Sequence, residues 1–188
     1  MKSPFLVQMN DLLNACTRRT EEFAGGLSEA QLNWRPGEGR WSVAECLDHL
    51  LVTNALYLGC MERAIHRAHA KGKSAEESTH SRNTIFGGFI IRTLKGGRAK
   101  AVPAPRMFSP ASDITPGIVD RFVKSQVRLT EAMHDAEGLH LDRVKFGTPV
   151  SALLRANLGE AFELLVLHEA RHLDQAEEVI ATDGFPAS

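Results

Sequence analysis

Residues 157–184 read NLGEAFELLVLHEARHLDQAEEVIATDG. Leu158, Leu165, His172 and Val179 stand seven apart, and Ala161, His168 and Gln175 each follow one of the first three by three residues. That spacing puts all seven on one face of a helix. Asn157 with Glu160 supplies its cap, and Asp183-Gly184 its stop. Such a seam needs partner helices, and the rest of the chain provides them. Ser3 and Pro4 open a first helix that ends near Gly25-Gly26, with Phe5, Met9, Leu12, Cys16 and Phe23 on its buried face. Ser28 and Gln31 stand in capping-box spacing before the breaker Trp34-Arg35-Pro36-Gly37. Ser42 and Glu45 form a second S-x-x-E/Q box, starting a long helix that runs to about Lys71, a rod of roughly 43 Å. Thr115 as cap and Pro116 as first residue start a third long helix, with Ile118, Phe122, Leu129, Met133 and Ala136 inward before Gly138. No set of alternating strands competes. The pattern predicts an all-α fold: an antiparallel four-helix bundle with a long crossover between helices 2 and 3.

That crossover is residues 72–115, rich in Gly and Pro, with residues 84–94 readable as a short helix or a strand. From Glu62 to Arg106 there are ten Lys or Arg against three Glu, about +7, in a chain of net charge -1. The basic connector lacks interleaved aromatics, so a nucleic-acid role is not expected. With 188 residues, 43% hydrophobic and 24% charged, one domain over 1–188 is expected. The apolar run Leu164 to Leu167 is far short of the roughly 20 residues that cross a bilayer, so no membrane partner is expected. The first residues reach Asn10 and Asp11 before a secretory h-region develops, which predicts a cytoplasmic protein. Cys16, Cys46 and Cys60 show no CxxC spacing and read as buried thiols. Exposed helix faces leave room for a homodimer.

His168 and His172, four apart on the seam, differ by about 40° and roughly 6 Å of rise, so both rings can converge on one ion. A third ligand has to come from another helix. His49 is the candidate, on an otherwise small or apolar stripe with Cys46, Thr53 and Leu56. Desolvating three lone imidazoles is costly, whereas one shared dication satisfies them together. His66, His69, His80, His134 and His140 lie among charged residues or near element ends and read as solvated. Residues 168–172 also match H-E-x-x-H, in which the glutamate is the general base of a zincin. The extended metalloprotease pattern fails at Gln175 and Glu178, and Glu169, about 100° from His168, is expected on the solvated flank. Three neutral imidazoles leave a divalent ion an open position, with Zn or Ni best suited to the nitrogen set. Glu45, one turn before His49, reads as part of its cap rather than as a ring-orienting group. Gln175 can bond a ligand ring or a neighbouring helix. Arg92, Lys95, Arg98 and Arg106 are candidate anchors for anionic groups.

Three strings carry a resemblance: Trp34-Arg35-Pro36, then residues 41–50 (WSVAECLDHL), then residues 168–175 (HEARHLDQ). Together, W-S-x-x-E-x-x-x-H-L and H-x-x-x-H-x-x-Q resemble the DinB-like (DinB/YfiT) four-helix bundles. The resemblance implies a metal on His49, His168 and His172. It also implies a metal-dependent enzyme related to thiol-S-transferases, with a low-molecular-weight thiol and an electrophile as partners. Two other uses of the same site stay open: a hydrolase with activated water, and a non-catalytic, stress-associated bundle that the ion stabilises.

Overall fold

The computed structural model describes residues 1–96, 105–111, 114 and 116–187. The chain is mostly helical: α1 (Pro4–Ala24), α2 (Glu29–Asn33), α3 (Val43–Ala70), α4 (Ile85–Lys95), α5 (Ile118–Asp135) and α6 (Leu158–Ile180). Side-chain caps begin four of these where the sequence places them. Ser3 accepts from Leu6 N–H, and Ser28, Ser42 and Asn157 each form a reciprocal box with Gln31, Glu45 and Glu160. Each box satisfies two backbone N–H groups that a helix start otherwise leaves without partners.

Three expectations need correction. The third long helix starts at Ile118, not Pro116, because Gly117 takes φ 77°, a left-handed turn that separates Pro116 from the helix. Thr115, expected as its cap, lies outside the described residues, as do Arg98 and Lys100 of the connector. A short antiparallel hairpin is also present, β1 (Lys145–Gly147) with β2 (Arg155–Asn157), pairing Phe146 with Ala156. Strands of three residues are too short to show alternation in a sequence. Finally, His80 is not solvated: its side chain is 6% exposed, with Nδ1 2.5 Å from Asp142 Oδ1.

The connector segment that reads as helix or strand is the helix α4. It lies on α6, and Gly87 is required there, since a Cβ at that position would come 2.5 Å from Glu160 Cδ. The Glu160 carboxylate, already part of the α6 cap, accepts from the Thr84 amide and from Thr84 Oγ1 at 2.8 Å. One buried carboxylate thus joins the starts of two helices.

Helices α1 and α3 each pack against both α5 and α6. Their apolar side chains divide into two clusters. One holds Leu6 and Leu13 of α1, Met61 and Ile65 of α3, Leu129 and Met133 of α5, and Leu158 and Leu165 of α6. The other holds Cys16 and Ala24, Leu47 and Leu50, Ile118 and Phe122, and Leu173 and Val179 of the same four helices. Between them in sequence fall the buried polar residues Thr53, Asn54, Gln126 and Glu169, beside His168, while His49 lies among the α3 residues of the second cluster. A polar layer therefore crosses the middle of the helices. Among the described residues no helix is long and apolar enough to cross a membrane.

Candidate metal centre

The seven-residue repeat of α6 turns His168 and His172 inward, and the Ser42 box fixes the start of α3 so that His49 faces them. The three rings meet, with centroids 5.0 Å apart for His49 and His168 and 4.5 Å for each of the other two pairs. One ligand atom from each lies within 4.8 Å of the others, a group that can hold a metal ion. All three sequence candidates are brought together.

The outer ring nitrogens decide what the inner ones can do. His49 Nδ1 is 2.6 Å from the Phe108 carbonyl oxygen, which can only accept, so the proton sits on Nδ1 and Nε2 keeps its lone pair. His172 Nδ1 is 3.0 Å from Gln175 Oε1, which makes the same choice for that ring. His49 Nε2 lies 3.2 Å from His168 Nε2. Two zinc-bound nitrogens at 2.0–2.1 Å in a tetrahedron stand roughly 3.3 Å apart, so this spacing fits a shared ion. His168 Nδ1 is buried with no partner among the described residues.

Electrostatics point the same way. Burial, and then the charge of neighbouring rings, holds His168 well below the usual imidazole range and pushes His172 down to about 3. Burial lowers His49 as well, against the pull of the Phe108 carbonyl and Asp48. Neutral imidazole is the form that binds a metal. Trp41 covers the rings, 4.9 Å from His49 and stacked at 27° on His172 at 5.6 Å.

Neighbouring candidates separate cleanly. Glu45 caps α3 and is gripped by Arg35 at 2.7 and 2.8 Å, so it does not orient His49. Burial pushes the Cys46 thiol up to about 12, which keeps it protonated and outside the ligand set. Cys60 is only half-buried. Lys95 is paired with Glu163 at 2.6 Å, while Arg92 and Arg106 are exposed. Sequence reasoning missed Trp41 as the cover, Asp48 beside His49, and the Phe108 carbonyl. The last of these is a main-chain group and leaves no trace in residue type.

Glu169 is the clearest correction. It is 0% exposed rather than on a solvated flank, because α6 packs on α1, α3 and α4 and little of its circumference reaches water. Its Oε1 accepts from Asn54 Nδ2 at 2.6 Å, inside the polar layer. Burial pushes its carboxyl up to about 7, opposed by the hydrogen bonds of Asn54 and Gln126. The folded protein therefore holds this proton better than the unfolded chain, and the stability it contributes is complete below pH 4.5 and lost as pH rises through 7. Glu169→Gln removes that loss, because its amide carries no charge at any pH and its oxygen can still accept from Asn54 Nδ2. Denaturant melts of metal-free protein should show the variant more stable at pH 8 by about 3 kcal/mol, with no gain at pH 4.5. Equal stability at pH 8 contradicts a buried charge at this position.

No curated protein and no solved structure matches the chain. Residues 12–176 match the family model of the DinB superfamily, a span that takes in all three histidines. With most of its length inside that match, the chain belongs to the DinB superfamily.

Proposed function

We propose that this protein is a divalent-metal-dependent enzyme that transfers a low-molecular-weight thiol to an electrophilic substrate, with His49, His168 and His172 as the metal ligands. The observation that carries the reading is the convergence of three neutral imidazoles without a fourth donor. Among the described residues, the group able to hold an ion consists of these three histidines. An open coordination position is the mark of a catalytic rather than a structural site. When bound, a zinc or nickel ion supplies Lewis acidity toward a thiol or water.

The protein's own residues favour the thiol. A zincin-like hydrolase needs its glutamate beside the attacking water, whereas Glu169 bonds Asn54 in the polar layer. A thiol, with a pKa of about 8.5, ionises at neutral pH far more readily than free water and has less need of a side-chain base. Sulfur then bonds the electrophilic carbon, the leaving group departs with its electron pair, and the thiol proton goes to solvent. Phe108 O and Gln175 hold two rings in the donating tautomer. Trp41 packs on the same two rings.

For the architecture, we read one domain over 1–188 as a four-helix bundle. In sequence order, α1 and α6 pass from the first apolar cluster to the second, while α3 and α5 pass from the second to the first. This supports α3 and α5 running the same way, which requires a crossover as long as the 72–115 connector.

The test uses protein made without a polyhistidine tag, loaded with Zn(II) or Ni(II) and given a thiol with a panel of electrophiles. Free thiol should fall in a metal-dependent way, and His49→Ala should not support it. Unchanged thiol across the panel overturns the transferase reading. Ester or amide turnover without thiol selects the hydrolase, and a raised melting temperature with no turnover selects the stabilising ion.

A further inference from the structure

Asp48, the residue before His49 on α3, is 7% exposed. Its Oδ2 accepts from the Ala111 amide at 2.8 Å and its Oδ1 from Arg121 of α5 at 3.2 Å. One residue on, His49 Nδ1 donates to the Phe108 carbonyl at 2.6 Å. The Phe108 ring is itself buried and stacks on Tyr57, with centroids 6.4 Å apart at 21°. Two successive side chains of α3 thus grip the same short turn of the connector, residues 106–111. His49 does so at Phe108, and Asp48 three residues later.

We propose that Asp48 is a positioning residue that clasps the 106–111 turn onto the histidine centre, so that seating of the turn and loading of a divalent ion reinforce each other. The inference rests on the metal reading. Its physical basis is the shared imidazole: a carbonyl on Nδ1–H fixes the lone pair on Nε2, and a cation on Nε2 makes Nδ1–H a stronger donor to that carbonyl. Binding linkage is reciprocal, so an ion that tightens the turn is released more easily, by the same factor, when the turn is loosened. Asp48 makes its hydrogen bonds to the turn and to Arg121, not to a histidine ring. It fastens the Ala111 amide on one side and is itself held by Arg121 on the other, which couples α3, the connector and α5 at one point. Arg106 and Met107 on this turn are exposed.

Hydrogen exchange of the full chain, with and without zinc, together with zinc affinity from chelator competition, tests the coupling. In the wild type, zinc should slow exchange of the 106–111 amides, Ala111 included, by about tenfold or more. Asp48→Ala should abolish that zinc dependence and weaken zinc binding by roughly 10–100-fold, the range for outer partners of metal ligands. Asp48→Asn keeps an acceptor for the Ala111 amide and should recover most of both. Zinc binding by the wild type with unchanged exchange over 106–111 overturns the coupling and leaves the metal reading standing. So does an Asp48→Ala variant that binds zinc as tightly as the wild type. No zinc binding by the wild type overturns the metal reading and the coupling with it. The wild-type exchange comparison decides even if Asp48→Ala does not fold.

Discussion

His168→Ala should bind zinc at least about 100-fold more weakly than the wild type, because structural zinc sites of four ligands hold roughly 10–16 kcal/mol and each ligand carries a substantial part. His168 is chosen because its Nε2 stands 3.2 Å from His49 Nε2. Removing it separates the remaining pair from the third corner. His49→Ala should lose a similar factor, which distinguishes a three-ligand site from an H-x-x-x-H pair that binds alone. Metal analysis of tag-free protein together with chelator competition measures both. Full occupancy in His49→Ala would remove α3 from the site.

The second large effect is acid instability of the metal-free protein. The three rings titrate below the 6.5 of an unfolded histidine, with His172 near 3, so the unfolded chain takes up protons that the folded protein refuses. The stability these rings contribute is complete above pH 6.5 and is lost as pH falls toward their folded values. Glu169 acts in the opposite sense between pH 7 and 4.5, because the folded state binds its proton first. Three rings against one carboxyl leave a net loss that steepens as pH falls below 6.5, toward a limit of about 3 kcal/mol per pH unit. Denaturant midpoints from pH 7.5 to 5.5 should fall steeply in chelator and much less with saturating zinc, which keeps the rings deprotonated. A flat profile in chelator contradicts three buried neutral rings.

What the sequence made legible was local or periodic. Ser3, Ser42 and Asn157 mark helix starts because a cap is a contact across three residues. The His168 and His172 pair follows from helical rise, and His49 from the stripe it occupies. The hairpin at 145–157 escaped because its strands are three residues long. Glu169 was misplaced because angular distance from a seam predicts exposure only when one face of a helix is covered, and α6 has neighbours on several sides. His80 looked like a surface residue among charges, yet Asp142, sixty-two residues away, encloses it. The grip on Phe108 could not be read at all, since any residue offers a carbonyl.

The band of Thr53, Asn54, Gln126 and Glu169 has a consequence for how uniquely the helices can assemble. If α6 slid by one turn, roughly 5.4 Å, a carboxyl would meet methyl groups and amides on α3 and α5 would be left facing hydrocarbon. Leucine-rich rods on their own tolerate such slippage at little cost. Here a misaligned assembly breaks the buried hydrogen bond of Asn54 to Glu169 with no solvent to replace it, so the band acts as a registration mark, and the alignment it selects is the one that brings three imidazoles to a common point.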